Sequence, residues 1–247
     1  MDVVALVGAG VLAGIVSTVV SLASLVSYPA LLAVGLPPVT ANVTNTVALV
    51  FTAVGAAFGS RPELVGQWSR VLRLGVVAAL GGATGAALLL LSPEGSFEAV
   101  APWLVAGASV LLLVQPRLTV LERPRGNGLR PGMLGLLFVV TIYTGYFGAA
   151  GGILVLVVLG AMLDESLVRV NAVKNALAGM SNGVAALGFA IFGPVRWSAA
   201  LPLAAGFLVG GWFGPRIARR LPGEGLRLLV GACGVAVAAK LGWDAYG

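Results

Sequence analysis

Residues 3–38 form an almost continuous apolar run with no charged side chain. A run of this length is too long for one crossing of a hydrocarbon core about 30 Å thick and short for two. Ser17, Thr18, Ser21, Ala23, Ser24 and Ser27 sit in its middle, and Pro29 follows. Two shorter helices meeting at a break near 17–24 fit this better than one rod. Broken backbone at membrane depth is tolerated only inside protein or beside a water-filled cavity. Leu36-Pro37-Pro38 ends the run, because proline cannot continue a helix and restricts the residue before it.

Apolar spans recur at 40–59, 71–92, 99–115, 132–163, 168–193 and 198–214, with a last one reaching about Tyr246. Only 10% of the residues are charged, against about 25% in a soluble domain, and mean hydropathy is +1.02. The expected fold class is an all-α integral membrane protein; the alternation of an outer-membrane barrel is missing. The net charge of +6 comes from loop arginines, so it reports topology and not nucleic-acid binding. The single Cys233 excludes an internal disulfide and reads as a small apolar residue. With no histidine, His metal ligands and His-based catalysis are excluded. Met1-Asp2 offers no basic n-region, so the first run is expected to stay in the mature chain.

The chain divides into two similar parts, 1–115 and 132–247, joined by the Pro-, Gly- and Arg-rich linker 116–131. Trp68 matches Trp197, Gly81-Gly82-x-x-Gly85 matches Gly210-Gly211-x-x-Gly214, and Pro93 matches Pro222, all at one spacing. Thr40–Asn45 aligns with Val170–Asn175 one residue out of that register. The second part opens with its own long apolar run, 132–163, broken at 145–152. Internal repeats of this size mark secondary transporters, whose sites lie near the repeat interface and the midplane. The glycine clusters read as close-packing seams.

Counting basic residues tests topology. If each long run is a hairpin returning to its own side, each repeat is a broken hairpin plus three crossings and the repeats are inverted. Twelve arginines then fall on the inner side, Arg196 and Lys240 fall outside, and Lys174 stays in the membrane, which accounts for all 15 basic residues. If each run crosses once, the split is 9 against 5. The positive-inside rule favours the inverted arrangement, with both termini outside.

The span 168–193 carries the chemistry. It holds Arg169, Asn171, Lys174, Asn175, Ser181 and Asn182, and Lys174 is the basic residue set well inside an apolar span. An intramembrane cation costs about 2.5–3.5 kcal/mol on insertion scales and marks a functional site by default. Positions 171, 174, 175, 178 and 182 share one helix face. Lys174 supplies charge, Asn171, Asn175 and Asn182 amide donors, and Ser181 a hydroxyl, which together suit a small oxyanion. Asn42, Thr44, Asn45 and Thr46 of the matching span are the expected facing residues, with Asn45 set against Asn175 across the pseudo-symmetry axis. Backbone N–H groups at Gly148, Gly151 and Gly152 attract anions in the same way, and Ser21 and Ser24 in the first break do so less well. Against this stand plainer readings: Lys174 snorkels to the interface from near a helix end, and the asparagines act as interhelical glue.

The chain resembles the sulfite exporter TauE/SafE family of bacterial membrane proteins. Gly148-Ala-Ala-Gly-Gly152 and Val170-Asn-Ala-Val-Lys-Asn175 carry the resemblance in the second half, and Tyr28-Pro-Ala-Leu31 and Ala41-Asn-Val-Thr-Asn45 in the first. It covers nearly the whole chain. The first half departs from it, reading Ser21-Leu-Ala-Ser-Leu25 where such proteins usually carry a glycine cluster. The resemblance implies transport of sulfite, sulfonates or related organosulfur anions across the bacterial cell membrane.

The expectation is therefore a carrier for a small sulfur-containing anion, with an anion channel or a carboxylate carrier as the alternative. An enzyme is not expected, since no nucleophile–base pair, metal cluster or phosphate loop is present and every Asp and Glu falls at a span end or in a loop. No cofactor is expected. The expected partners are the substrate anion and the lipid bilayer, and a homodimer is compatible with the sequence.

Overall fold

The computed structural model describes residues 3–20, 22–59, 61–93, 95–120, 130–148, 151–218, 232 and 235–243. Among the described residues every regular element is a helix. The first long run is broken into α1 (Val3–Val20) and α2 (Ser24–Ala33), and the second into α7 (Pro131–Tyr146) and α8 (Gly151–Met162). At 1.5 Å per residue α2 and α8 are only about 15 and 18 Å long, half a crossing each. Between them lie α3 (Pro38–Gly59), the single turn α4 (Arg61–Leu64), α5 (Trp68–Leu91) and α6 (Ser96–Val120). Then follow α9 (Leu167–Phe192) and α10 (Trp197–Ala218). Residues 235–243 are again helical. Among the described residues four stretches are long and apolar enough to cross a membrane: Pro38–Phe58, Trp68–Leu91, Val168–Phe192 and Trp197–Gly214.

The linker expected at 116–131 is shorter at its start. Residues 116–120 continue α6 even though Pro116 removes one hydrogen bond from the helical ladder. Cys233, Pro222, the middle of the linker and the basic turn beyond residue 218 lie outside the described residues.

The first hairpin end is built as a Schellman motif. Gly35 takes φ +85°, its N–H reaches Leu32 O at 2.9 Å, and the Leu36 N–H reaches Leu31 O at 3.2 Å. Leu31 and Leu36 are both buried, completing the apolar clasp. Pro38 then opens α3 at the position where a missing N–H costs nothing.

The helices pack in an order that reads the same from either end: α1 on α10, α10 on α3, α3 on α9, α9 on α5, α5 on α7. Under the repeat correspondence α1 answers to α7, α3 to α9 and α5 to α10. Each half of the chain therefore lends one long helix to the other. The glycine clusters make this exchange possible. A methyl group placed on Gly210 would stand 2.3 Å from Val11 O, and one on Gly211 2.6 Å from Thr52 O. In the other half, one on Gly81 would stand 2.8 Å from Phe138 O and one on Gly82 2.4 Å from Ser181 O. Backbones this close gain dispersion contacts that larger side chains would block, and such contacts hold helices together in lipid.

Candidate polar pathway between α3 and α9

The direction of packing decides which polar residues meet. A methyl group on Gly179 would lie 2.7 Å from Ala53 Cβ, and one on Gly193 would lie 3.1 Å from Val43 Cγ1. Thr44 Oγ1 accepts the backbone N–H of Arg196 at 3.0 Å. The two helices are thus antiparallel, and the N-terminal part of α3 lies beside the C-terminal end of α9.

Lys174 consequently does not face Asn45. At 1.5 Å per residue on either side of the Ala53–Gly179 contact, the two lie about 20 Å apart along the seam. The facing set expected from the repeat, Asn42, Thr44, Asn45 and Thr46 opposite Lys174, is separated for a simple reason. Antiparallel packing puts positions equally far along the two helices at opposite ends. The polar residues of α3 and α9 form three groups along the two helices.

At one end Lys174 is buried, 2% exposed and among the largest buried side chains, with Asn171 and Asn175 half-buried on the same face. Burial to this degree argues against a side chain snorkelling into solvent. Nearby, Glu165 accepts Arg70 at 3.1 Å and Arg169 at 2.8 Å, and Arg169 also donates to Val65 O at 3.0 Å. This ties the start of α5 to the start of α9.

At the middle lie Ser181, Asn182 and Thr52. All three are buried, and among the described residues Ser181 Oγ, Asn182 Oδ1 and Thr52 Oγ1 have no hydrogen-bond partner. Ser181 and Thr52 face the two glycine clusters from opposite repeats, at Gly82 and Gly211.

At the far end the α3 asparagines are engaged. Asn45 Oδ1 accepts Ser27 Oγ at 2.6 Å and its amide nitrogen donates to Ser24 Oγ at 3.0 Å, so Asn45 and Ser24 clamp α2 to α3. Thr46 Oγ1 donates to Asn42 O at 3.0 Å. Asn42 Nδ2 donates to Tyr146 O at 2.9 Å, on the last residue of α7. Gly148 follows with φ +74°, the left-handed residue that ends α7. Gly151 opens α8 and packs on Thr144, with Gly152 half-buried beside it. Ser21 lies outside the described residues.

Several contributors were not legible beforehand. Tyr28 meets Phe147 edge-on at 5.7 Å, and Phe97 lies 5.9 Å from Phe147 and 6.0 Å from Tyr146. This aromatic cluster joins the two broken runs. Glu98 follows Phe97, and its Oε2 is buried without a partner among the described residues. It shares a cavity of about 490 Å³ with Pro29, Pro38, Val237 and Lys240.

Comparison with known proteins supplies the family. Residues 6–241 match the sequence profile of the sulfite exporter TauE/SafE family. The Escherichia coli K12 protein named "Probable membrane transporter protein YfcA" is 25% identical over 243 residues, covering 96% of this chain and 88% of its own. A Sinorhizobium "Probable membrane transporter protein ORF9" is 23% identical, covering 94% of this chain and 89% of its own. A Haemophilus influenzae "Probable membrane transporter protein" is 22% identical, covering 95% of this chain and 92% of its own. No solved structure matches this chain. The match over nearly the whole chain, with the membrane-length helices already described, places it in the TauE/SafE family of membrane transporters.

Proposed function

We propose that this transporter is a secondary carrier for a small sulfur-containing anion such as sulfite or a sulfonate, moved by alternating access along the α3–α9 seam. The observation that carries this reading is the burial of Lys174 beside the half-buried amides of Asn171 and Asn175. An ammonium offers strong donors and charge, and neighbouring amides orient an oxyanion. Ser181, Asn182 and Thr52 continue the polar file inward from that point with buried groups able to bond a passing ligand.

The arrangement in the membrane belongs to the same proposal. The Arg70–Glu165 pair supports placing the starts of α5 and α9 on one side, and the Thr44–Arg196 contact supports placing the starts of α3 and α10 on the other. With α5 and α6 each crossing, the run 131–163 returns to its own side, as in an inverted pair of repeats with its basic loops inside the cell membrane. Counterflow of ³⁵S-sulfite in proteoliposomes tests the carrier. Saturable exchange stimulated by internal sulfite is expected. Unitary currents in planar bilayers with no counterflow would make the protein a channel instead.

A further inference from the structure

The break between α7 and α8 presents an oxygen-lined point that the anion pathway does not use. α7 ends at Tyr146, and the carbonyl end of a helix carries about half a negative charge. Asn42 Nδ2 donates to Tyr146 O, which fixes the amide's orientation, because only the NH₂ group can bond a carbonyl. Asn42 Oδ1 is therefore the amide's remaining acceptor, held beside that carbonyl. Asn42 is 1% exposed, and among the described residues its Oδ1 has no partner. A methyl group on Gly148 would lie 3.6 Å from Thr144 O and 3.7 Å from Thr46 Oγ1, so these oxygens converge on the same turn.

The nearby charges are mixed: Glu98 lines a cavity together with Lys240, and the Arg196 N–H bonds Thr44, between Asn42 and Thr46. Glu98 follows Phe97, whose ring lies against Tyr146 and Phe147. Lys174 is about 20 Å along the seam, from the helix rise. The feature belongs to one repeat alone. The α9 positions equivalent to Asn42 and Thr46 are Ala172 and Ala176, which bring no side-chain oxygen, while the position equivalent to Thr44 is Lys174. One repeat carries neutral oxygens at its partner's break, and the other carries the cation for the anion.

We infer that Asn42 Oδ1, Thr46 Oγ1 and the C-terminal carbonyls of α7 form a binding site for a small monovalent cation, sodium by its hard-oxygen, uncharged ligand set. Carbonyl ends of broken helices hold coupling ions elsewhere among transporters, and hard oxygen donors suit hard cations. The site rests on the carrier reading above for its role in coupling, but not for its existence.

The test is ²²Na⁺ binding to the purified full-length protein in choline chloride buffer, with and without sulfite, alongside sulfite counterflow in sodium or choline. The expected result is saturable binding competed by unlabelled sodium and not by potassium. Thr46→Val, which removes only the hydroxyl, and Asn42→Ala are expected to weaken it by about tenfold or more. Should Asn42→Ala fail to fold, Thr46→Val decides. Absence of saturable ²²Na⁺ binding to the unmodified protein, competition by potassium equal to that by sodium, or unchanged affinity in Thr46→Val overturns the site. Counterflow that proceeds equally in choline, with no sodium bound, overturns the site and leaves the carrier standing. Sodium binding without any counterflow leaves the site and removes the carrier.

Discussion

Gly82 and Gly145 meet backbone to backbone: a methyl group on Gly145 would stand 2.3 Å from Gly82 O. Gly14 and Gly210 make a similar close approach between α1 and α10, where a methyl on Gly14 would stand 2.9 Å from Gly210 Cα. These two contacts hold each repeat's first helix to the long helix lent by the other. Because the obstructing atoms are backbone, no rotamer change relieves the clash. Gly145→Val and Gly210→Val are each expected to destabilise the folded protein by about 3 kcal/mol, at the upper end of overpacking costs. Their effects should be similar, since in both cases the added side chain meets only backbone atoms. Thermal unfolding in detergent, followed by size-exclusion chromatography, measures this. Gly107→Val, on α6 where no atom lies within 4 Å of the added methyl, is the control and should unfold like the parent.

Asn45 gives a sharper discrimination between fold and site. Both of its polar atoms are spent on Ser27 and Ser24. Asn45→Ala should lower stability by about 1–3 kcal/mol, because buried hydroxyls lose their partners. Anion affinity in the protein that remains folded should be unchanged. A preserved melting temperature with a large loss of sulfite affinity would instead place Asn45 in the substrate path.

The ion-pair group around Glu165 is expected to control access more than stability. Arg70 and Arg169 are each more than a third exposed, so each pair contributes about 0–1 kcal/mol. Yet the group bridges the starts of α5 and α9 at the end of the seam where Lys174 lies. Glu165→Gln should shift the melting temperature little. It should speed labelling of a cysteine placed at Asn175 by a hydrophilic maleimide applied from that side. Equal labelling rates with and without the substitution would show that the ion pairs do not close the path.

Much of the fold was readable because its causes are local. Pro37-Pro38 and Gly35 end α2 by backbone constraint alone, and the breaks follow from small residues inside runs too long for one crossing. The glycine clusters were readable as close-packing seams, and in the structure they are where helix backbones meet. Lys174 stood out because a cation in an apolar span is costly. The relative placement of Asn45 and Lys174 was not readable. Sequence correspondence says that two positions are equivalent under the pseudo-symmetry, whereas proximity depends on where the axis lies. Here α3 and α9 meet at Ala53 and Gly179, eight residues past Asn45 and five past Lys174. Asn42's hold on Tyr146 was hidden for a related reason: it joins residues 104 apart and needs both breaks to be in place first.

Lys174 carries the last prediction. The side chain is buried at 2% exposure in a helix of apolar seam residues, Val170, Val173 and Leu177. Position 44, its repeat equivalent, is Thr44, so the fold of the repeat does not require a charge there. Lys174→Met keeps the approximate length and removes the charge. Taking a charge out of water costs several kcal/mol per ion, and removing the charge removes that cost. Lys174→Met should therefore melt at or above the parent's temperature while losing sulfite-dependent stabilisation and counterflow. Lys174→Arg should bind weakly, because a planar fork does not replace a compact ammonium in a pocket shaped for it. Thermal shift with and without sulfite, and counterflow of the same variants, measure both effects. Normal transport by Lys174→Met would remove the residue from the substrate path and move the search to Ser181, Asn182 and Thr52 at the centre of the seam.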